Sequence, residues 1–199
     1  MSQMFDTILD RWDITAEELT EIVDANPSLR GFMMGYVSEY KVRQHVAQIS
    51  GVHGIKKYDD HDRTKKGDIS LIYHREEIRI EVKSLQTNLV RQIGPDEWIG
   101  TFQCDASDRR EIDLPNGTTV NTTCLAVGEF DIVAVNLFAF GNRWRYAFAL
   151  NSDLPHPKAG KKYDDETAQY LISSNIKISY PLQPPFTSNL KDLLDELTC

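Results

Sequence analysis

Gly67-Asp68-Ile69-Ser70-Leu71-Ile72-Tyr73, then His74-Arg75-Glu76-Glu77, then Ile78-Arg79-Ile80-Glu81-Val82-Lys83: this stretch decides how the chain is read. Its two outer runs are short, β-branched and apolar at every second position, and the segment between them is polar. Alternation of period two on either side of a polar break specifies two antiparallel strands joined by a tight turn. In the second strand Ile78, Ile80 and Val82 face one way, and Arg79, Glu81 and Lys83 the other. A turn centred on Arg75 and Glu76 pairs His74 with Glu77, Ser70 with Glu81, and Asp68 with Lys83. Asp68 then shares a sheet face with Glu81 and Lys83. Diagonal neighbours on such a face sit about 7–8 Å apart at the backbone, within reach of two carboxylates closing on one ion. Two hard oxygen donors and an ammonium on one face can bind Mg²⁺ and still hold a phosphate or an attacking hydroxide.

Gly67-Asp68, twelve intervening residues and Glu81-Val82-Lys83 together resemble the PD-(D/E)XK signature, the active-site hairpin of restriction-endonuclease-like nucleases. Gly67 stands where the motif has Pro, a departure that removes no ligand but makes the pattern less specific. A second Glu-x-Lys, Glu39-Tyr40-Lys41, lies in a helical surrounding, where i,i+2 side chains do not face each other. The resemblance implies a Mg²⁺ ion held by Asp68, Glu81 and the backbone carbonyl of Val82. It implies that Lys83 orients or deprotonates the attacking water. Many members of this superfamily carry a Glu on the helix before the hairpin, which implies Glu39 as an accessory ligand. Each residue also has a plainer reading. Asp68, Glu81 and Lys83 would serve equally as cross-strand ion pairs on a solvated sheet face, and Glu39 as an i,i+4 partner of Arg43, worth about 0.2–0.5 kcal/mol.

The 199 residues suffice for one domain with a buried core, and the composition is that of an ordinary globular protein. No apolar run approaches membrane-spanning length, and the first residues lack the basic-then-apolar order of a signal peptide. The three cysteines, Cys104, Cys124 and Cys199, are odd in number and none has metal-ligand spacing, which reads as free thiols in a reducing cytoplasm. The net charge of −8 argues at first against a nucleic-acid partner, but it is concentrated at the ends. Residues 1–26 carry seven acids against Arg11, and residues 164–199 six acids against Lys177 and Lys191, so residues 27–163 are net +2. Acidic ends around a mildly basic centre suit a specific binder better than a non-specific polyelectrolyte.

Along the chain, Phe5, Ile8, Leu9 and Trp12 are spaced for a short helix, and Thr15-Ala16-Glu17-Glu18 is a capping box that opens another, ending before Asn26-Pro27. A third helix is predicted over 28–49, with Leu29, Phe32, Met33, Tyr36, Val37 and Tyr40 as its apolar stripe. A short strand near 51–57 leads into a charged loop. There Lys65 and Lys66 are placed to contact phosphate or simply to face solvent, and Asp59, Asp60 and Asp62 are weaker rivals as metal ligands. Residues 84–100 read as irregular. Thr101–Asp105 reads as a strand, and with a hairpin turning at Asn116-Gly117 it forms a polar insertion. Its Arg109 and Arg110 would grip phosphate, read a guanine edge, or pair with Asp105, Asp108 or Glu111. The run Phe130–Phe138 is the most apolar of the chain and predicts a central strand buried on both faces, followed by an antiparallel aromatic strand over 143–150. Residues 171–178 add an edge strand. Leu190, Leu193, Leu194 and Leu197 mark an amphipathic terminal helix that docks on its own domain or on a second subunit.

The fold class expected is therefore α/β, with a restriction-endonuclease-like core whose central mixed sheet is flanked by helices. Residues 1–27 form an N-terminal helical segment, residues 28–155 a nuclease core with a polar insertion near 101–124, and residues 156–199 a C-terminal extension. What the resemblance implies is a Mg²⁺-dependent endonuclease acting on double-stranded DNA, most like a type II restriction enzyme and working as a homodimer in the cytoplasm. A repair or junction-type nuclease, and a DNA-binding protein that kept the fold without catalysis, are the alternatives.

Overall fold

The computed structural model describes residues 7–58 and 66–199; Phe5, Asp59, Asp60, His61, Asp62 and Lys65 lie outside the described residues. In chain order the elements are α1 (Ile8–Trp12), α2 (Ala16–Ala25), α3 (Pro27–Val46), β1 (His53–Lys57), β2 (Ile69–Tyr73), β3 (Glu76–Ser84), β4 (Arg91–Gly94), β5 (Glu97–Gln103), β6 (Asp105–Asp113), β7 (Thr119–Cys124), β8 (Ile132–Asn136), β9 (Tyr146–Leu150), α4 (Asp165–Ala168), β10 (Asn175–Tyr180) and α5 (Leu190–Leu197). Two compact units result, residues 1–37 and residues 38–199.

In the first unit, capping boxes open α1 and α2. Thr7 and Asp10 exchange hydrogen bonds, as do Thr15 and Glu18, so orphan N–H groups at each start are satisfied. The second box is the one the sequence specifies. Neither α1 nor α2 buries a residue.

The second unit begins within α3 and contains a five-stranded sheet of order β1-β2-β3-β8-β9. It is mixed, because β3 and β8 run parallel while the other neighbours are antiparallel. All five residues of β8 are buried, and the first four alternate between two apolar clusters. Ile132 and Ala134 pack with Val42 and Val46 of α3 and with Leu190, Leu193 and Leu194 of α5. Val133 and Val135 pack on the opposite face with Phe102, Ile176 and Ile178. Helices thus flank one face of the central sheet, and a three-stranded sheet of order β10-β5-β4 covers the other. A side chain such as Val133 contributes roughly 1.5–3 kcal/mol on full burial.

Two expectations change, and one of the two dockings left open for the terminal helix is the one found. The predicted stripe of the third helix is not its buried face: Tyr40 is half exposed, and the face that packs on the sheet carries Ser38, Val42 and Val46. Val42 and Val46, one turn apart, meet the apolar face of the sheet. Residues 84–100 are not irregular. They contain β4 and most of β5, joined through Asp96 at positive φ; β10 is an edge strand, as expected, and pairs antiparallel with β5 in this second sheet. The terminal helix docks on its own domain. Leu190, Leu193 and Leu194 are buried there, so they are unavailable as a dimer surface.

Candidate active site

The hairpin of β2 and β3 forms, in a different register. Tyr73 pairs with Glu76 and Ile69 with Ile80, so the two-residue turn is His74-Arg75. Both residues have positive φ, 48° and 76°, the backbone that a two-residue turn of this hand demands. The register differs from the predicted one by two residues. Since side chains alternate with period two, no residue changes face. The pairing ends at Ile69 and Ile80, one residue short of Asp68.

Asp68 stands where β2 gives way to the preceding loop. Its N–H donates to the Ile80 carbonyl at 2.9 Å, and its carboxylate Oδ2 accepts from the Val82 N–H at 2.7 Å. Past this point the β2 side of β3 has no strand residue, and Asp68 supplies the partner with its side chain. The N–H and C=O of one strand residue leave on the same side, so the Val82 carbonyl leaves β3 toward Asp68. Lys83 Nζ lies 2.7 Å from Glu81 Oε1 and donates to the Asp105 carbonyl at 3.2 Å. The side chains of Glu81 and Lys83 are only 13% and 19% exposed. These are not the ion pairs of a solvated sheet face.

Burial and the neighbouring Glu81 carboxylate push the Asp68 carboxyl up to about 7, against the Val82 N–H and Lys83, which favour its charged form; Glu39 adds a weaker upward push. Burial works against the Lys83 ammonium, but the Glu81 and Asp68 carboxylates outweigh it and hold Lys83 in the charged form. Cys104, buried nearby, is pushed up to about 12 by burial, despite Lys83, and is a neutral thiol.

The three side chains open on a cavity of about 650 Å³, whose other walls include Tyr58, Lys66, Arg109, Arg110 and Glu129. Of the expected DNA-contacting residues, Arg109 is exposed at this cavity. Arg110 is committed elsewhere. Its two terminal nitrogens grip both oxygens of Glu129, which also accepts from the Ala126 N–H at 2.8 Å and pairs with Lys66 at 3.3 Å. The Glu129 carboxyl resists burial and is held below its usual range by Arg110, the Ala126 N–H and Lys66. Lys65 lies outside the described residues. Glu39 forms an ion pair with Lys57 of β1, Nζ to Oε2 3.0 Å. Its charge also raises the Asp68 carboxyl.

Sequence reasoning missed Glu129 and underrated the bracing below the site. Arg79, on the face of Glu81, receives Asp131 on its backbone N–H and on its guanidinium, and also donates to the carbonyls of Gly128 and Glu129. Glu129-Phe130-Asp131, two acids around an aromatic just before the central strand, was the available signal.

The acidic donors fit a small hard cation. Among the described residues no three His, Cys, Asp or Glu side chains gather as a metal-binding group. The donor set is two carboxylates and a backbone carbonyl, and Mg²⁺ is commonly held by one or two carboxylates with water completing its shell. Burial, and after it the Glu81 carboxylate, disfavour a charged Asp68, and a cation bound between the two would offset both.

No protein-family model matches the chain, and no curated protein matches it. Among solved structures the chain is similar to a bacterial homing endonuclease, at 14% identity and a TM-score of 0.40, over 72% of this chain and 74% of that one. A likeness this distant assigns neither activity nor residues.

Proposed function

We propose that the protein is a Mg²⁺-dependent endodeoxyribonuclease that hydrolyses phosphodiester bonds of double-stranded DNA, most like a type II restriction enzyme and acting as a homodimer. The observation that carries this reading is Asp68 and Glu81 juxtaposed, with charged Lys83 2.7 Å from Glu81, in the wall of a polar cavity that also holds Lys66 and Arg109. The PD-(D/E)XK resemblance of the same three residues supports it.

A Mg²⁺ bound by Asp68, Glu81 and the Val82 carbonyl would supply Lewis-acid polarisation of the phosphoryl oxygen and a more acidic water. Lys83, being cationic, is an N–H donor rather than a base. It would orient the attacking water and offset charge on the pentacoordinate phosphorane, in a site where burial strengthens that attraction. Water would attack phosphorus in line: its oxygen forms the new P–O bond as its proton passes to bulk water, the opposite P–O bond breaks, and the departing oxygen takes up a proton from bulk water. Lys66 and Arg109 would hold flanking phosphates.

The test is digestion of a supercoiled plasmid with and without Mg²⁺, beside Asp68→Asn and Glu81→Gln. Discrete fragments that require Mg²⁺ and both carboxylates are expected. Nicking or smearing by the wild type would favour a repair-type nuclease, and no cutting would favour a binding protein. Sedimentation with and without DNA tests the dimer. A strict monomer that nicks one strand at a time would overturn the restriction-enzyme form.

A further inference from the structure

We propose that the outer face of the three-stranded sheet is the surface that reads DNA sequence, laid in the major groove of the duplex cut at the Asp68 site. This proposal rests on the nuclease reading for its substrate, but it stands on different residues. In β5 and β10 one set of side chains, Phe102, Ile176 and Ile178, is buried in the core. By strand alternation the other set faces outward, and pairing places its members directly across from one another: Gln103 with Asn175, Thr101 with Lys177, and Ile99 with both Ser179 and Arg91.

This face has the chemistry of a base-reading surface. Gln and Asn match the adenine edge, Arg and Lys the guanine edge, and Thr either a hydrogen-bonding edge or the thymine methyl. Its sign also fits. The groove on this face, about 920 Å³, carries Arg91, Lys158 and Lys177 against the single acid Asp153, in a chain whose net charge is −8. Polyanion binding to an acidic protein requires such a local excess of cations. A ribbon of two strands about 4.8 Å apart enters a B-DNA major groove about 12 Å wide.

The face is continuous with the candidate active site. Gln103 at the end of β5 donates to the Asp105 carboxylate at 2.8 Å, and the carbonyl of the same Asp105 accepts from Lys83. Gln86, just past β3, donates to Gln103 at 3.0 Å, and its N–H donates to the Thr101 carbonyl. A duplex with one phosphate at Lys83 would meet the start of this sheet next.

The experiment selects duplexes from a randomised DNA library by equilibrium binding in Ca²⁺, then compares wild type with Arg91→Gln, Lys177→Gln and Thr101→Val. Arg91 and Lys177 are exposed, so those changes leave the core intact, and thermal melting of each variant checks it. Each variant is expected to lose about tenfold in affinity for the wild-type-selected duplex and to flatten base preference at one or two positions. Binding within twofold of wild type with unchanged preference in all three variants would overturn the proposal, even if Mg²⁺-dependent cleavage is intact. A uniform affinity loss across all sequences, with the salt slope lowered by about one in Arg91→Gln and in Lys177→Gln, would reduce the face to a phosphate contact and overturn base reading. Equal binding to an RNA duplex of the same sequence would also overturn it, since the A-form major groove is too narrow for a sheet. If the wild type binds duplex but cuts nothing, the nuclease reading fails alone and the variants still decide this one. No duplex binding by the wild type overturns this proposal outright.

Discussion

Lys83 Nζ lies 2.7 Å from Glu81 Oε1, two residues along the same strand and on the same face. The ammonium is therefore held in place by a carboxylate that is itself a candidate ligand. Lys83→Met keeps the length of the side chain and removes its charge. Cleavage should fall by roughly 10²-fold or more, on the scale of a lost transition-state donor. Duplex affinity measured in Ca²⁺ should change much less. Single-turnover cleavage and equilibrium binding on the same duplex check it, and cleavage near wild type would remove Lys83 from the site.

The raised Asp68 carboxyl sets a pH dependence. Unfolded, it releases its proton near 4; folded, it keeps the proton until about 7. Between those values the native state binds more protons than the unfolded state, so this group makes the fold less stable as pH rises through that window, with no further loss above it. Asp68→Asn removes the effect. The difference in Tm, variant minus wild type, should rise from pH 4 to pH 7 and then level off. Mg²⁺ should raise the wild-type Tm more at pH 8 than at pH 5, because the ligand must be deprotonated. A flat difference curve would contradict the burial argument.

How much of this was legible depended on which forces were local. The alternation of β2 and β3 is a property of adjacent residues, and it put Asp68, Glu81 and Lys83 on one face even though the turn was misplaced. The turn itself was not legible, because His74 and Arg75 are not residues that advertise positive φ. The run at β8 was legible because burial on both faces leaves no polar position. The end of β5 was legible at Thr101-Phe102-Gln103, but β4 and the start of β5 were hidden. Glu97-Trp98-Ile99-Gly100 lacks a clean alternation, and its strand partner, β10, lies more than 70 residues away. The resting place of Arg110 was likewise invisible, since Glu129 meets it only once β6 and the segment before β8 are folded together.

Glu39 is close enough to raise the Asp68 carboxyl, and it pairs with Lys57. If Glu39 assists the metal through water, Glu39→Gln should raise the Mg²⁺ concentration needed for half-maximal cleavage several-fold. Lys57→Ala should not. If the residue only anchors α3 to β1, both changes should leave the metal requirement alone and cost at most about 1 kcal/mol of stability. A Mg²⁺ titration of cleavage, with urea denaturation of both variants, separates the two roles.

Arg109 and Arg110, neighbours on β6, should behave differently. Arg110→Ala leaves the Glu129 carboxylate, whose side chain is 10% exposed, with only Lys66 and the Ala126 N–H, and should cost about 1–3 kcal/mol of stability. Arg109→Ala should leave stability nearly unchanged, weaken duplex binding across all sequences, and lower the salt slope by about one. Chemical denaturation and binding at several salt concentrations distinguish them. An Arg110→Ala protein as stable as wild type would show that the Glu129 pair contributes nothing.

The terminal helix offers a test of how the protein assembles. Leu194 is fully buried among Val42, Val46, Ile132 and Phe148, in the core that α5 closes. Leu194→Ala removes side-chain atoms from a packed interior and leaves a cavity, so it should cost about 2–5 kcal/mol. Were this stripe a subunit interface, the same change would shift the monomer–dimer equilibrium and its effect on stability would depend on protein concentration. The expected outcome is a lower urea midpoint at every protein concentration, with the sedimentation behaviour of the folded protein unchanged. A homodimer, if sedimentation finds one, must then form through a surface that leaves α5 in place. Leu197, 39% exposed at the end of that helix, supplies the contrasting variant. Leu197→Ala should change stability by no more than about 0.5 kcal/mol. A sedimentation shift with Leu197→Ala but not with Leu194→Ala would return the exposed tip of α5 to the interface while leaving its buried face in the core.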